Sequence, residues 1–405
     1  MNKELKEKIL KAAASMSDEL IRLRRHFHSN PELSFREYET MDFICGYLDK
    51  LGLPYQKGIA GTGIICEISG LPGNSVIGLR AEMDALPVKE TEGRSYGSTK
   101  EGVMHACGHD AHMAMLLGTA RILSELKDTF YGKILLVFQP GEELSPGGAR
   151  LMIESGCFDK YNPDLFIAHH VLPELQTGKV GYRAGKYMAS SDEIYLTVRG
   201  KGGHAALLKQ LTDQVLIASE LIVEIRKRVG LIEATTDIPV VLAFGKIRGD
   251  GATNVIPREV EIAGTLRTFD ETLRETVKET IRLCASEMAD IKGVAVEVRI
   301  ADGYPVLVND EQLTGQAVKL SGELLGYDKT EMFGLRMSSE DFAFFTSKYR
   351  ALYYRVGIGK EGTEPAMLHS ATFDLDENAM ITGVANMTWL ALSFAAEKSA
   401  EQPNL

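Results

Sequence analysis

Three short apolar runs, each closed by polar residues, restrict this chain to few folds. Residues 75–79 lead into Arg80-Ala81-Glu82-Met83-Asp84-Ala85-Leu86-Pro87, residues 133–138 into Gln139-Pro140-Gly141-Glu142-Glu143, and residues 164–168 into His169-His170. Continuous apolar runs of this length are strands covered on both faces, as inside a parallel sheet. Helical spacing between them, clearest over residues 110–126, predicts alternating strands and helices. The result is a mostly parallel sheet with its strand ends gathered along one edge. Open sheets of that kind hold ligands at the strand ends.

Between the first two runs lies His105-Ala106-Cys107-Gly108-His109-Asp110-Ala111-His112. Cys107 and His109 flank a single glycine, so both side chains can point into one cleft. Asp110 stands where a helix N-cap belongs, ahead of an apolar helix pattern. Alone, this stretch serves equally well as the buried polar start of a helix. The strand ends add Asp84, Glu142 with Glu143, and His169 with His170, which makes a single site. Glu82 and Asp84 read either as part of it or as a solvated loop.

A thiolate, imidazoles and paired carboxylates form the ligand set of a divalent transition metal such as zinc. Calcium and magnesium take oxygens alone. More ligands than one tetrahedral ion needs point to two ions sharing a bridge, for which the sulfur of Cys107 is suited. Two such ions can clamp and acidify a water. Amide hydrolysis also needs a base beside the metal, so one of Glu142 and Glu143 binds while the other shuttles the proton.

Elsewhere, residues 5–27 read as one amphipathic surface helix and residues 35–51 as a second helix. From about Gly185 the order becomes strand, helix, two strands, helix, strand, which is a compact antiparallel sheet with two helices on one face. This is an inserted domain, residues 186–302, within a discontinuous one, residues 1–185 and 303–405. Gly200-Lys201-Gly202-Gly203-His204 reads as a flexible turn. The net charge of -11 argues against nucleic acid as a partner. Residues 1–17 lack the apolar core of a signal peptide, and no 18-residue apolar run is evident, so a cytoplasmic location and no membrane partner are expected. The five scattered cysteines are expected to be reduced, and only Cys107 has histidine company.

Taken together, Arg80 to Pro87, Cys107-Gly108-His109-Asp110, Pro140-Gly141-Glu142-Glu143, His170-Val171 and Leu368-His369 resemble the metallo-aminoacylase family of hippurate hydrolases and auxin-conjugate (IAA-amino acid) hydrolases. Carboxypeptidase G and succinyl-diaminopimelate desuccinylase are more distant relatives. The resemblance runs from Arg25 to Glu377 and implies an α/β, zinc-peptidase-like catalytic domain. The insert is then a ferredoxin-like α+β lid and dimerisation domain. Two divalent ions per subunit are implied, zinc or manganese foremost, with cobalt or nickel as alternatives. Their ligands would be Cys107 as the bridge, His109, Glu143, His170 and His369, with Glu142 as general base and acid.

His204 matches a lid histidine that, in dimers, reaches the partner's active site to polarise the scissile carbonyl. Asn254 and Arg267 match positions that contact or organise a substrate carboxylate, although a structural salt bridge explains Arg267 equally well. Glu82, Asp84 and Asp110 would support the ligands from behind. The implied reaction is hydrolysis of small-molecule N-acyl amino acids by a homodimer. A dipeptidase or carboxypeptidase on the same site, or a non-catalytic binder, are the alternatives. The chain departs from the family with Glu82 in place of Asp and Ser370-Ala371 in place of Asn-Pro. The following Val171 and Pro173 favour His170 over His169 as the ligand, with His169 in the core. His26, His28, His105 and His112 read as structural or supporting.

Overall fold

The structure, a computed structural model, describes residues 3–91 and 93–400. The chain forms two compact units. One is Met1–Gly185 with Val308–Gly334 and Asp341–Leu405, and the other is Lys186–Leu307 with Leu335–Glu340.

The first unit is built on a mixed, mostly parallel sheet of strands β1 (Tyr55–Ile59), β2 (Gly63–Ser69), β3 (Leu71–Glu82), β4 (Tyr131–Gln139), β5 (Leu165–Gln176), β6 (Val180–Tyr182), β7 (Thr330–Met332) and β8 (Arg350–Gly359). Their order is β1-β2-β4-β3-β5-β8-β6-β7. β4, β3, β5 and β8 are parallel neighbours at its centre. Strands apolar at every position need cover on both faces. On one face Ile77, Leu79, Ile134, Leu136 and Ile167 join the core with residues of the helices His109–Glu125 and Ala379–Ala400. The opposite parity turns Phe166 towards Phe158 and Phe345, at centroid separations of 5.2 and 4.6 Å.

Four expectations are corrected. The first helix is two, Lys3–Ser15 and Ser17–Ser29, parted at Met16, whose amide bonds to Ala13 three residues back. Both lie at the surface as expected, the second burying Leu20, Leu23, Arg24, Phe27 and His28 on one face and exposing Asp18, Arg22 and His26 on the other. The strand expected to end before His169 continues to Gln176, so both histidines lie within it, His170 paired with Arg355 of β8. Gly108, not Asp110, caps the helix His109–Glu125. Gly108 takes φ 88°, and a Cβ there would lie 2.5 Å from Val171, so only glycine fits. Finally, residues 379–396 are apolar enough to span a membrane, but 83% of that window is buried inside the protein.

The second unit has strands Asp192–Arg199, Val240–Arg248, Glu259–Thr268 and Ala295–Asp302, ordered second, third, first, fourth. All neighbours are antiparallel, which is the ferredoxin-like arrangement. Ile194, Leu196 and Val198, every other residue of the first strand, pack with Ile217, Leu221, Val277 and Ile281 of its two helices. Asp213 and Asp270 cap those helices by accepting from Leu216 N and Leu273 N. The expected free turn at Gly203–His204 is instead a two-residue strand paired with Val255–Ile256.

Candidate metal centre

Four segments of the first unit bring their polar residues together. Cys107 Sγ lies 3.3 Å from His170 Nε2 and 3.3 Å from His369 Nε2. His369 Nε2 is 3.2 Å from Glu143 Oε1. The ligand atoms of Cys107, His109 and His170 all lie within 4.8 Å of one another, as do those of Cys107, Glu143 and His369, and those of His109, Glu142 and Glu143. Metal–ligand bonds of about 2.0–2.3 Å put donors of one ion at roughly this spacing. Cys107 belongs to two of these triads.

Each residue is held from behind. His109 Nδ1 lies 2.8 Å from the carbonyl of Asp84, and its Nε2 is buried without a hydrogen-bond partner. Oε1 of Glu143 is also buried, with the ion-pair contact to His369 but no aligned hydrogen bond. Such orphaned atoms are rare in folded proteins, and their chemistry here suits a cation. Asp84 Oδ2 accepts from Ser34 Oγ (2.6 Å) and from the Glu143 amide (2.9 Å), tying β3 to the loop after β4. His170 Nδ1 bonds to the Val171 carbonyl at 2.7 Å. His369 adopts φ 61°, uncommon without glycine, and its amide donates to the Ala106 carbonyl beside Cys107. His169 is buried on the other side of the strand, with Nδ1 3.4 Å from the Tyr354 hydroxyl.

The electrostatics are those of a site rich in negative charge. Burial works against a charge on His109, but the Asp84 hydrogen bond and the charge of Glu82 outweigh it and lift its pKa to about 10. Burial raises Asp84, but His109 and Ser34 more than reverse this and hold it at about 2. Burial, then Glu143 and Glu142, push the Cys107 thiol well above its usual range. His170 is pushed well below the ordinary histidine value, mainly by burial. Glu142 is buried, with Oε1 3.5 Å from the Asp341 amide.

In the second unit, His204 and Asn254 are neighbours. His204 pairs with Val255, and the Ala205 amide donates to the Asn254 carbonyl at 2.9 Å. The Ala206 amide donates to His204 Nδ1 (3.1 Å), which leaves the proton of the neutral ring on Nε2 of an exposed side chain. Arg267 Nη1 donates to the Met337 carbonyl at 2.9 Å, and the structural salt bridge weighed as its alternative role is absent among the described residues.

Sequence reasoning expected Glu82, Asp84 and Asp110 behind the ligands but missed the residues that hold them and the turn before Glu142. Glu37 accepts from Thr62 Oγ1, Phe35 N and Gly141 N, and so fixes the turn before Glu142. Arg80 bonds to Glu82, Gln139 and Asp341. Asp110 is held by Arg24 and His28. The Arg80 motif was visible in the sequence, whereas nothing marked Glu37 or Arg24.

The sequence pattern of peptidase family M20/M25/M40 matches residues 78–392. An N-acyl-L-amino acid amidohydrolase of Geobacillus stearothermophilus is 38% identical over 76% of this chain and 82% of its own. Thermostable carboxypeptidase 2 of Saccharolobus solfataricus is 34% identical over 97% of this chain and 99% of its own. Among solved structures, the YXEP protein of Bacillus subtilis, described as a dinuclear metal binding peptidase from the M20 family, superposes with a TM-score of 0.81 at 30% identity. That match covers 95% of this chain and 99% of YXEP.

Proposed function

Since the chain belongs to peptidase family M20/M25/M40, a family of hydrolases, we propose that it is a two-metal amidohydrolase that splits N-acyl amino acids into a carboxylic acid and an amino acid. The observation that carries this reading is the sharing of Cys107 between two ligand triads. Two divalent ions, zinc or manganese foremost, held by Cys107, His109, Glu143, His170 and His369, supply Lewis acidity when bound. Glu142 sits beside the ligands and takes the proton of the attacking water, then returns it to the departing nitrogen. Its partner Asp341 keeps the carboxylate in place through the backbone amide. His204, with Nε2–H exposed, is the lid residue that in the dimer donates to the amide oxygen of the substrate in the partner's site as negative charge develops there. Asn254 beside it and Arg267 receive the substrate carboxylate. The reading includes a cytoplasmic homodimer formed through the second unit.

The test uses protein loaded with zinc or manganese. Glu142→Gln is expected to keep its metal and lose turnover about 100- to 10,000-fold. Full activity in that variant refutes the role of Glu142. A panel of N-acetyl and N-benzoyl amino acids against unblocked dipeptides fixes the substrate class. Faster turnover of the dipeptides would make the protein a peptidase on the same centre.

A further inference from the structure

Beneath the ligands lies a pair of residues that the reaction does not use. β3 and β5 pair only as far as Arg80 opposite Ala168, while β5 runs on through His170 to Gln176. Beyond that point the backbone of β5 loses a strand partner on this side. The Val171 amide donates instead to a side chain, His112 Nε2, at 3.0 Å. A buried backbone donor must find an acceptor somewhere. By accepting at Nε2, the neutral imidazole of His112 carries its proton on Nδ1, and Nδ1 lies 2.8 Å from Glu82 Oε2. The other oxygen of Glu82 is held by Arg80, which also bonds to Gln139 at 2.8 Å and Asp341 at 2.6 Å. Arg80, Glu82 and His112 are fully buried. The His112 ring also stands edge-on to that of His170, with centroids 4.7 Å apart.

We propose that Glu82 and His112 form a clamp that sets where β5 presents His170, and so controls metal affinity at the Cys107, His109 and His170 position. His112 is a positioning residue, not a ligand. It fixes the residue after His170 and braces the ring of His170 itself. Glu82 serves the clamp rather than the ions, its longer side chain spanning from the end of β3 to the helix that carries His112. Among the described residues, no bond of the Glu82, His112 and Val171 chain reaches Glu143 or His369, so the clamp acts on the position that His170 completes.

The inference rests on the two-metal reading, and cobalt titration of the chelated full-length protein separates the two. The wild type is expected to bind two equivalents in distinguishable steps, with a thiolate-to-cobalt band from Cys107. Absence of that band in the wild type would overturn the metal centre and the clamp with it. With the band present, His112→Leu removes both hydrogen bonds, and one equivalent is expected to weaken about 10- to 100-fold while the other is unchanged. His112→Gln, which keeps an acceptor for Val171 N, is expected to recover part of the loss. Glu82→Gln reports on the same step if the leucine variant does not fold. If these variants only lower the unfolding midpoint while both cobalt steps stay as in wild type, the residues are structural and the clamp is refuted. Equal weakening of both steps refutes it as well.

Discussion

Arg24 gives the sharpest test of how the first unit is held together. Its side chain is fully buried, with Nε 2.9 Å from Asp110, Nη2 2.7 Å from Asp374 and Nη1 3.1 Å from Glu377. Asp110 has no solvent exposure either, so Arg24→Met strands a buried carboxylate with His28 and the Ala111 amide. Breaking a buried pair by removing one partner costs about 3–5 kcal/mol. The neighbouring Arg25 is the control. It binds Glu377 through two nitrogens, at 2.9 and 2.7 Å, but is 43% exposed, so Arg25→Met is expected to cost about 0–1 kcal/mol. Trp389 is the sole tryptophan, and it lies buried in the first unit with Nε1 donating to the Leu320 carbonyl. Its fluorescence therefore follows unfolding of that unit in urea without interference from the other. Adding Asp110→Asn to Arg24→Met is expected to recover part of the loss, because the stranded charge is then gone. A cost for Arg24→Met within about 1 kcal/mol of that for Arg25→Met would refute the argument.

Glu37 is buried, and burial followed by the charge of Asp84 lifts its carboxyl from 4.5 to about 7. A carboxyl whose pKa rises on folding adds stability that is complete below pH 4.5 and is lost as pH rises through about 7. The difference is roughly 3 kcal/mol. In chelated protein, Glu37→Gln should therefore gain stability relative to wild type between pH 5 and 8 when urea midpoints are compared. A constant difference across that range would show that Glu37 does not titrate there. Gly141 has φ 55°, and an added Cβ would lie 2.4 Å from the Phe35 ring. Gly141→Ala is expected to cost more than about 1 kcal/mol and to reduce kcat, since the turn positions Glu142 and Glu143. Wild-type kcat in that variant would show that the turn is not what aims them.

The ligand cluster was legible because its residue types are chemically narrow and Cys107, His109, Glu143 and His170 stand near a strand end or a glycine, whereas His369 was marked by the family resemblance alone. The fold class followed from apolar runs whose period admits few alternatives. What escaped the sequence depends on distance along the chain. Arg24 meets Asp110 and Glu377, and Glu37 meets Gly141, across gaps that no local pattern encodes. The β5 strand was cut short in the sequence reading because His169 and His170 look like loop residues. They are buried by pairing with β8 on one edge, a tertiary fact. The break at Met16 has neither proline nor glycine to announce it. It lets Ile9 and Ala13 on one side, and Leu20, Leu23 and Phe27 on the other, reach the same core.

The balance of buried charge explains why such a cluster holds together at all. Glu37, Glu82, Asp84, Asp110, Glu142 and Asp341 are buried acids of the first unit near the ligands, Arg24 and Arg80 are buried arginines that meet three of them, and Arg355 is buried opposite His170. Arg80 answers Glu82 and Asp341, and Arg24 answers Asp110. Asp84 lies against His109 and Glu143 against His369. Against the effect of burial, Asp84 and Glu82 lift the pKa of His109 to about 10. His369, drawn by the Glu143 carboxylate 3.2 Å away, has its pKa raised as well. Cys107 keeps its proton because burial and the same glutamates oppose a thiolate. These protons occupy the place that divalent cations would take, so metal uptake and proton release become one event. Falling pH then opposes loading of the two ions.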